Sequence, residues 1–80
     1  MDEKKIYEKL NTIFRDVFDD NSITLTPTTT ANDIPGWDSL RHISITAAAE
    51  GAFGIRFKSA ELEELRDVGS FVALIERKLS

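Results

Sequence analysis

The amino-acid sequence predicts an all-α fold: a small antiparallel four-helix bundle with three longer helices, one short third helix and a long first loop. Apolar residues recur three and four positions apart in three segments, which is the periodicity of a helix with one buried face. Residues of the capping type precede these segments, and no segment has a strong strand pattern. Because the chain has 80 residues, of which 41% are hydrophobic, we expect a single domain over residues 1–80.

The first helix is predicted by six apolar residues that fall on one helical face: Ile6, Leu10, Ile13, Phe14, Val17 and Phe18. Poor helix formers at 19–21 end it. Residues 19–37 then form the long loop, because they are rich in threonine and contain two helix-breaking prolines. Ile23, Leu25 and Ile34 are expected to anchor this loop to the core.

The second helix is expected to begin near Asp38 and Ser39, since both residue types are preferred helix N-caps. Its inward stripe is predicted to contain Leu40, Ile43, Ala47 and Phe53, widened by Ile45, Ala48 and Ala49. Gly54 is expected to end the helix.

Two further helices are predicted in the last third of the chain. The short third helix has Ser59 as its candidate cap, with Leu62 and Leu65 inward and the glutamates on a solvated face. The fourth begins near Asp67, and its buried stripe is expected to be Val68, Phe71, Val72, Ile75 and Leu79.

Composition excludes several classes of function. The formal net charge is −4, with 14 acidic and 10 basic residues, so nucleic acid is not an expected partner. The absence of cysteine excludes disulfides and thiolate–metal sites, and no other metal site is predicted. The sequence lacks a long apolar run, and its start does not resemble a signal peptide. We therefore expect a cytoplasmic monomer without stable membrane insertion.

The stretch Gly36-Trp37-Asp38-Ser39-Leu40 carries the functional signal, because it places a serine hydroxyl at the start of a helix that follows a long loop. It resembles the Asp-Ser-Leu attachment motif of the acyl carrier protein family. Glu50 and Phe53 follow the serine at the family's spacing, and Val68 and Ile75 match its last helix. The resemblance covers nearly the whole chain.

The resemblance implies that Ser39 carries 4'-phosphopantetheine, transferred from coenzyme A, with Asp38 and Leu40 beside it. The thiol of that cofactor would hold an acyl group as a thioester, so the chain itself needs no catalytic residue and is not expected to be an enzyme. The partners would be a phosphopantetheinyl transferase and acyl-loading and acyl-transferring enzymes of a fatty-acid-like, polyketide-like or specialised lipid pathway. The acyl pocket is placed by resemblance at Ile43, Ala47, Phe53, Leu62 and Val68.

Partner docking is expected around the motif, at Trp37, Leu40, Arg41, His42 and Glu50. Trp37 has a second interpretation, which we favour, as a loop residue that covers the core. Arg41 and His42 occupy positions where fatty-acid carriers are usually acidic, which suggests a dedicated pathway in place of bulk fatty-acid synthesis. Trp37 also departs from the two glycines typical of peptidyl carriers.

Two other functions remain open at this point. A helical adaptor without cofactor would use Ser39 only as a cap. A small hydrolase would pair Ser39 with His42, which we expect to be a solvated surface residue, but the sequence lacks a Gly-x-Ser-x-Gly nucleophile elbow.

Overall fold

A computed structural model describes residues 2–79, and these form four helices without a strand. Helix α1 spans Glu3–Phe18, α2 Ser39–Phe53, α3 Ser59–Glu63 and α4 Val68–Leu79, and a 3-10 turn at Ala31–Asp33 interrupts the first loop. Helix α1 packs against both α2 and α4. The predicted all-α class, the three longer helices and the short third one are confirmed. No helix of the described residues is long and apolar enough to cross a membrane.

One core joins α1, the first loop, α2 and α4. Its buried side chains are Ile6, Leu10, Phe14, Leu25, Ile34, Ile45, Ala49, Phe53, Val68, Phe71, Val72 and Ile75. Helix α3 contributes no buried residue. The faces predicted for α1 and α4 are those that pack, although Ile13, Val17, Phe18 and Leu79 are only half-buried.

The stripe predicted for α2 is wrong at Leu40, Ile43, Ala47 and Ala48 and correct at Ile45, Ala49 and Phe53. Leu40 is 76% exposed and Ile43 63% exposed, whereas Ile45 and Ala49 lie in the core. Ala47 and Ala48 are exposed as well. The reason is that α2 carries apolar residues on two faces, so periodicity alone does not decide which of them packs.

The first loop is held by hydrogen bonds as well as by its buried residues. The Asn11 Oδ1 atom accepts from the Leu25 amide at 2.8 Å, and Arg15 Nε donates to the Ile23 carbonyl at 2.7 Å. Leu25 and Ile34 are buried and Ile23 is half-buried, as predicted for the loop anchors. The loop is therefore a fixed scaffold that leads into α2.

The start of α4 is built jointly by the loop and by Asp67. The Val68 amide donates to the Thr29 carbonyl at 2.9 Å, and the Gly69 amide donates to the Pro27 carbonyl at 3.0 Å. Asp67 Oδ1 accepts from the Ser70 amide at 2.8 Å, which confirms the predicted capping role and lowers the pKa of this carboxyl.

The predicted solvated face of α3 is wrong for one of its glutamates. Glu61 accepts from the Lys58 amide at 2.8 Å and forms an ion pair with Lys78 at the end of α4, also at 2.8 Å. Both contacts lower the pKa of Glu61. Because Lys58 precedes the first helical residue, the predicted cap Ser59 lies one position too late. The Glu61–Lys78 ion pair thus links α3 to the end of α4.

Candidate functional site

Asp38 fixes the point at which α2 begins. Its backbone is extended, at φ −121° and ψ −174°, and its Oδ1 atom accepts a hydrogen bond from the Arg41 amide at 2.9 Å. Its own carbonyl accepts the first helical bond, from His42 N at 2.9 Å. Asp38 is therefore the N-cap, and Ser39 is the first helical residue, as the sequence predicted.

Ser39 presents an unengaged hydroxyl at this helix start. The residue is exposed, and no other residue of the described range 2–79 hydrogen-bonds its Oγ atom. Within the same range, the Ser39 and Leu40 amides have no acceptor. The Asp38 side chain accepts from the Arg41 amide instead, and the Asp38 carbonyl accepts from the His42 amide. Free amides and the positive end of the helix dipole make this position favourable for an attached anion.

Trp37 anchors the residues just before the serine. Its ring meets that of Phe14 edge-on, with centroids 5.2 Å apart, and lies 6.2 Å from that of Phe18. The half-buried side chain thus covers the core, which was the favoured interpretation of the sequence. The turn into it is made by Gly36, whose φ of +86° suits glycine.

His42 is half-buried, so the expectation of a solvated surface residue is wrong. Its ring stacks on Trp37 at 6.1 Å, and its Nδ1 atom accepts from Trp37 Nε1 at 3.3 Å. The Nδ1 atom is thus engaged by Trp37, and no hydrogen bond joins His42 to Ser39 within residues 2–79, which argues against the hydrolase.

A cavity of about 290 Å³ opens beside Ser39, between α2 and the start of α4. It is lined by Ala31, Trp37, Ser39, His42, Ile45, Leu65, Arg66, Asp67, Val68 and Phe71. Ser39, His42 and Ile45 line it together because residues three positions apart share a helix face. Of the residues predicted for the acyl pocket, only Val68 lies in this wall.

The other predicted pocket residues do not come together. Ile43 and Ala47 face solvent, Leu62 is half-buried on α3, and Phe53 is buried at the far end of α2, where Lys9 Nζ lies 5.4 Å from its ring centroid. These four residues do not line the cavity beside Ser39, and their assignment to an acyl pocket stays a prediction. Ile45, Leu65 and Phe71 were missed as lining, although the spacing from Ser39 to Ile45 could have indicated the first of them.

The residues predicted for docking divide into two groups. Leu40 and Arg41 are exposed, and Arg41 lies 3.4 Å from the Asp38 carboxylate. The Glu50 carboxylate instead accepts a hydrogen bond from the Phe57 amide at 2.8 Å, so it stabilises the connection between α2 and α3.

No group of three or more metal-ligating side chains is found in residues 2–79.

Comparison with known proteins identifies the family of this chain. The model of the family described as phosphopantetheine attachment site matches residues 8–75. A solution NMR structure of a holo acyl carrier protein from Geobacter metallireducens is 44% identical, with a TM-score of 0.87, over 92% of this chain and 85% of that one. The chain belongs to the acyl carrier protein family. No curated protein matches it.

The carrier therefore works with covalently attached 4'-phosphopantetheine, and enzymes that handle acyl groups are its partners. The residues present fit this group, because an exposed serine hydroxyl lies at a helix start where two amides have no acceptor in the described chain. The bound arm supplies the thiol that the cysteine-free chain lacks.

Proposed function

We propose that Ser39 is the attachment residue of this carrier, within a single carrier domain over residues 1–80. The supporting observation is the exposed Ser39 hydroxyl on the first residue of α2. The Ser39 and Leu40 amides can donate to the phosphate oxygens of a group on that hydroxyl, and the helix dipole stabilises their negative charge.

Asp38 would otherwise oppose an anion at this position. Its carboxylate has a counter-charge beside it, because Oδ1 accepts from the Arg41 amide and Oδ2 lies 3.4 Å from the Arg41 guanidinium. Asp38 thus orients the helix start while Arg41 offsets its charge.

The loading step requires an external enzyme. The Ser39 Oγ atom attacks the phosphorus of coenzyme A that carries the pantetheine chain, and the Oγ–P bond forms as the bond to the adenosine bisphosphate leaving group breaks. The hydroxyl proton passes to a base of the transferase, since His42 is held by Trp37. No catalytic residue of the carrier is needed.

The exposed face of α2 is the proposed docking surface for the transferase and the acyl-handling enzymes. It consists of Leu40, Ile43 and Ala47, one helical turn apart and next to the attachment residue, with Arg41 beside them. Because the exposed face has no acidic side chain, docking relies on apolar burial more than on attraction to basic patches. This supports a dedicated pathway, and a cytoplasmic monomer remains part of the proposal.

The test is mass spectrometry after incubation with coenzyme A, magnesium and a broad-specificity transferase. We expect the folded carrier to gain one phosphopantetheinyl group and Ser39→Ala to gain none. Ser44→Ala is the matched control, because Ser44 is also exposed on α2 but lies five residues beyond the helix start, and it should load normally. Loading of Ser39→Ala would overturn the assignment, and an unchanged mass of the wild type would favour the adaptor without cofactor.

A further inference from the structure

His42 lies where the first loop meets α2, and its ring is held there by Trp37. The Trp37 Nε1 atom donates to His42 Nδ1 at 3.3 Å, and the two rings stack with their centroids 6.1 Å apart. An indole N–H donates and cannot accept, so this bond exists only while Nδ1 carries no proton. Protonation of Nδ1 would place two donors opposite each other. The contact is therefore specific for the neutral imidazole.

His42 also lies on the same side of α2 as the proposed attachment residue. Ser39 and His42 are three positions apart on the helix, and both line the cavity between α2 and the start of α4. Side chains at this spacing are neighbours, with Cβ atoms about 5–6 Å apart. A phosphodiester on Ser39 would therefore bring a negative charge close to the imidazole.

The charged groups that lie beside His42 come from α2 and from the segment before α4. On α2, Asp38 and Arg41 lie 3.4 Å apart and offset each other. Before α4, Arg66 and Asp67 line the same cavity and are again of opposite sign. The α1 side chains that contact the tryptophan ring are aromatic and uncharged. Loading leaves all of these groups unchanged, so a comparison of the apo and loaded carrier isolates the charge of the phosphate.

We propose that His42 is a proton-dependent positioning residue for the phosphopantetheine arm. Neutral His42 accepts from Trp37 and joins the start of α2 to the loop. Protonated His42 takes up one proton from solvent, leaves Trp37 and donates to the phosphodiester on Ser39, and no other covalent bond changes. The inference rests on the proposed attachment at Ser39 and adds to it a contact that holds the base of the arm.

Loading and protonation are thereby coupled. An opposite charge close to a titratable group favours its charged form, so the phosphate increases the proton affinity of His42. By reciprocity, protonation holds the arm more firmly. For unit charges about 6 Å apart, Coulomb's law shifts the titration midpoint by about half a pH unit in water and by about two units at an effective dielectric constant of about 20. We therefore expect the proton affinity to rise at least about threefold on loading.

The experiment is an NMR titration of the apo and the loaded carrier between about pH 5 and pH 8, the range in which imidazole changes charge. The chain contains one histidine, so the ring C–H signals belong to His42. Their midpoint should be higher in the loaded form. The phosphorus signal of the arm should shift with that same midpoint, because a phosphodiester does not itself titrate in this range. Ser39→Ala taken through the same loading reaction should keep the apo midpoint.

Two variants separate the two contacts of His42. Trp37→Phe keeps an aromatic ring against Phe14 and removes the donor, so protonation of His42 breaks no hydrogen bond and the apo midpoint should rise. His42→Asn offers Trp37 a side-chain oxygen in place of Nδ1 and cannot become charged. Once this variant is loaded, its phosphorus signal should no longer depend on pH.

The outcomes separate the inference from the proposed function. If Ser39 loads and His42 titrates at one midpoint in both forms, the inference is wrong and the attachment stands. A phosphorus signal that does not follow the His42 midpoint would also overturn it, as would an apo midpoint unchanged in Trp37→Phe. A wild type that gains no arm refutes the attachment itself, and the inference with it.

Discussion

Gly69 should be the position at which a single methyl group most clearly weakens this fold. A Cβ atom added there would lie 2.8 Å from the Pro27 carbonyl oxygen and 3.3 Å from Pro27 Cα, and these are backbone atoms that cannot rotate away. The loop would have to move away from α4. That movement would stretch the two bonds that cap the helix, from Val68 to Thr29 and from Gly69 to Pro27.

The expected loss follows from three terms. Overpacking costs about 1–3 kcal/mol, and two weakened hydrogen bonds cost up to about 1 kcal/mol each. Replacing a helical glycine by alanine stabilises the helix by about 1 kcal/mol, which offsets part of this loss. We therefore expect Gly69→Ala to lower the free energy of unfolding by about 2 kcal/mol, which corresponds to a Tm lower by about 10 °C for a chain of this size.

Gly51→Ala is the matched control. Gly51 lies in α2, and an added Cβ atom would meet nothing within 4 Å. This substitution should raise stability by about 1 kcal/mol through helix propensity alone. Urea unfolding followed by circular dichroism measures both variants, and Gly69→Ala as stable as Gly51→Ala would refute the packing argument.

Two other predictions concern carboxylates. Glu50→Ala should lower the free energy of unfolding by about 1 kcal/mol, because the Phe57 amide loses its acceptor. The rate of phosphopantetheine loading, measured by mass spectrometry, should not change. A slower loading rate with unchanged stability would indicate that Glu50 takes part in docking instead. The pKa values of Asp67 and Glu61 are lowered by hydrogen bonds in the folded state, so their contribution is complete above about pH 5 and is lost as the pH falls through the folded-state pKa. Urea midpoints between pH 7 and pH 3 should therefore fall less for Asp67→Asn than for the wild type, and an equal fall would contradict this.

The helix starts were largely predictable because they depend on local chemistry. Asp38 and Asp67 cap α2 and α4 through side-chain oxygens that reach amides three residues away, so the residue type alone indicates the site. The buried face of α1 was also predictable, since its apolar residues lie on one side only. The position of Ser39 followed from the same local information.

The orientation of α2 and the cavity depend on tertiary packing, which the sequence does not reveal directly. Ile45 and Ile43 are equally apolar, and only the contact with the core distinguishes the buried one from the exposed one. The pairing of His42 with Trp37 depends on the turn at Gly36, which brings a loop ring over the first turn of the helix. The ion pair of Glu61 likewise could not be predicted locally, because its partner Lys78 is distant in the sequence.

Helix α2 has one apolar face in the core and another in solvent, and Ser39 lies between the two. This position explains why both faces are apolar. Leaving Leu40 and Ile43 in water forgoes about 1.5–3 kcal/mol for each side chain, a large amount for a domain of this size. Successive helical residues are rotated by about 100°, so Ser39 borders the cavity while Leu40 already points to solvent. A group on Ser39 can then reach the cavity on one side and an enzyme docked on Leu40 and Ile43 on the other. The cavity wall and the proposed docking face are thus adjacent faces of one helix, with Ser39 at the border between them.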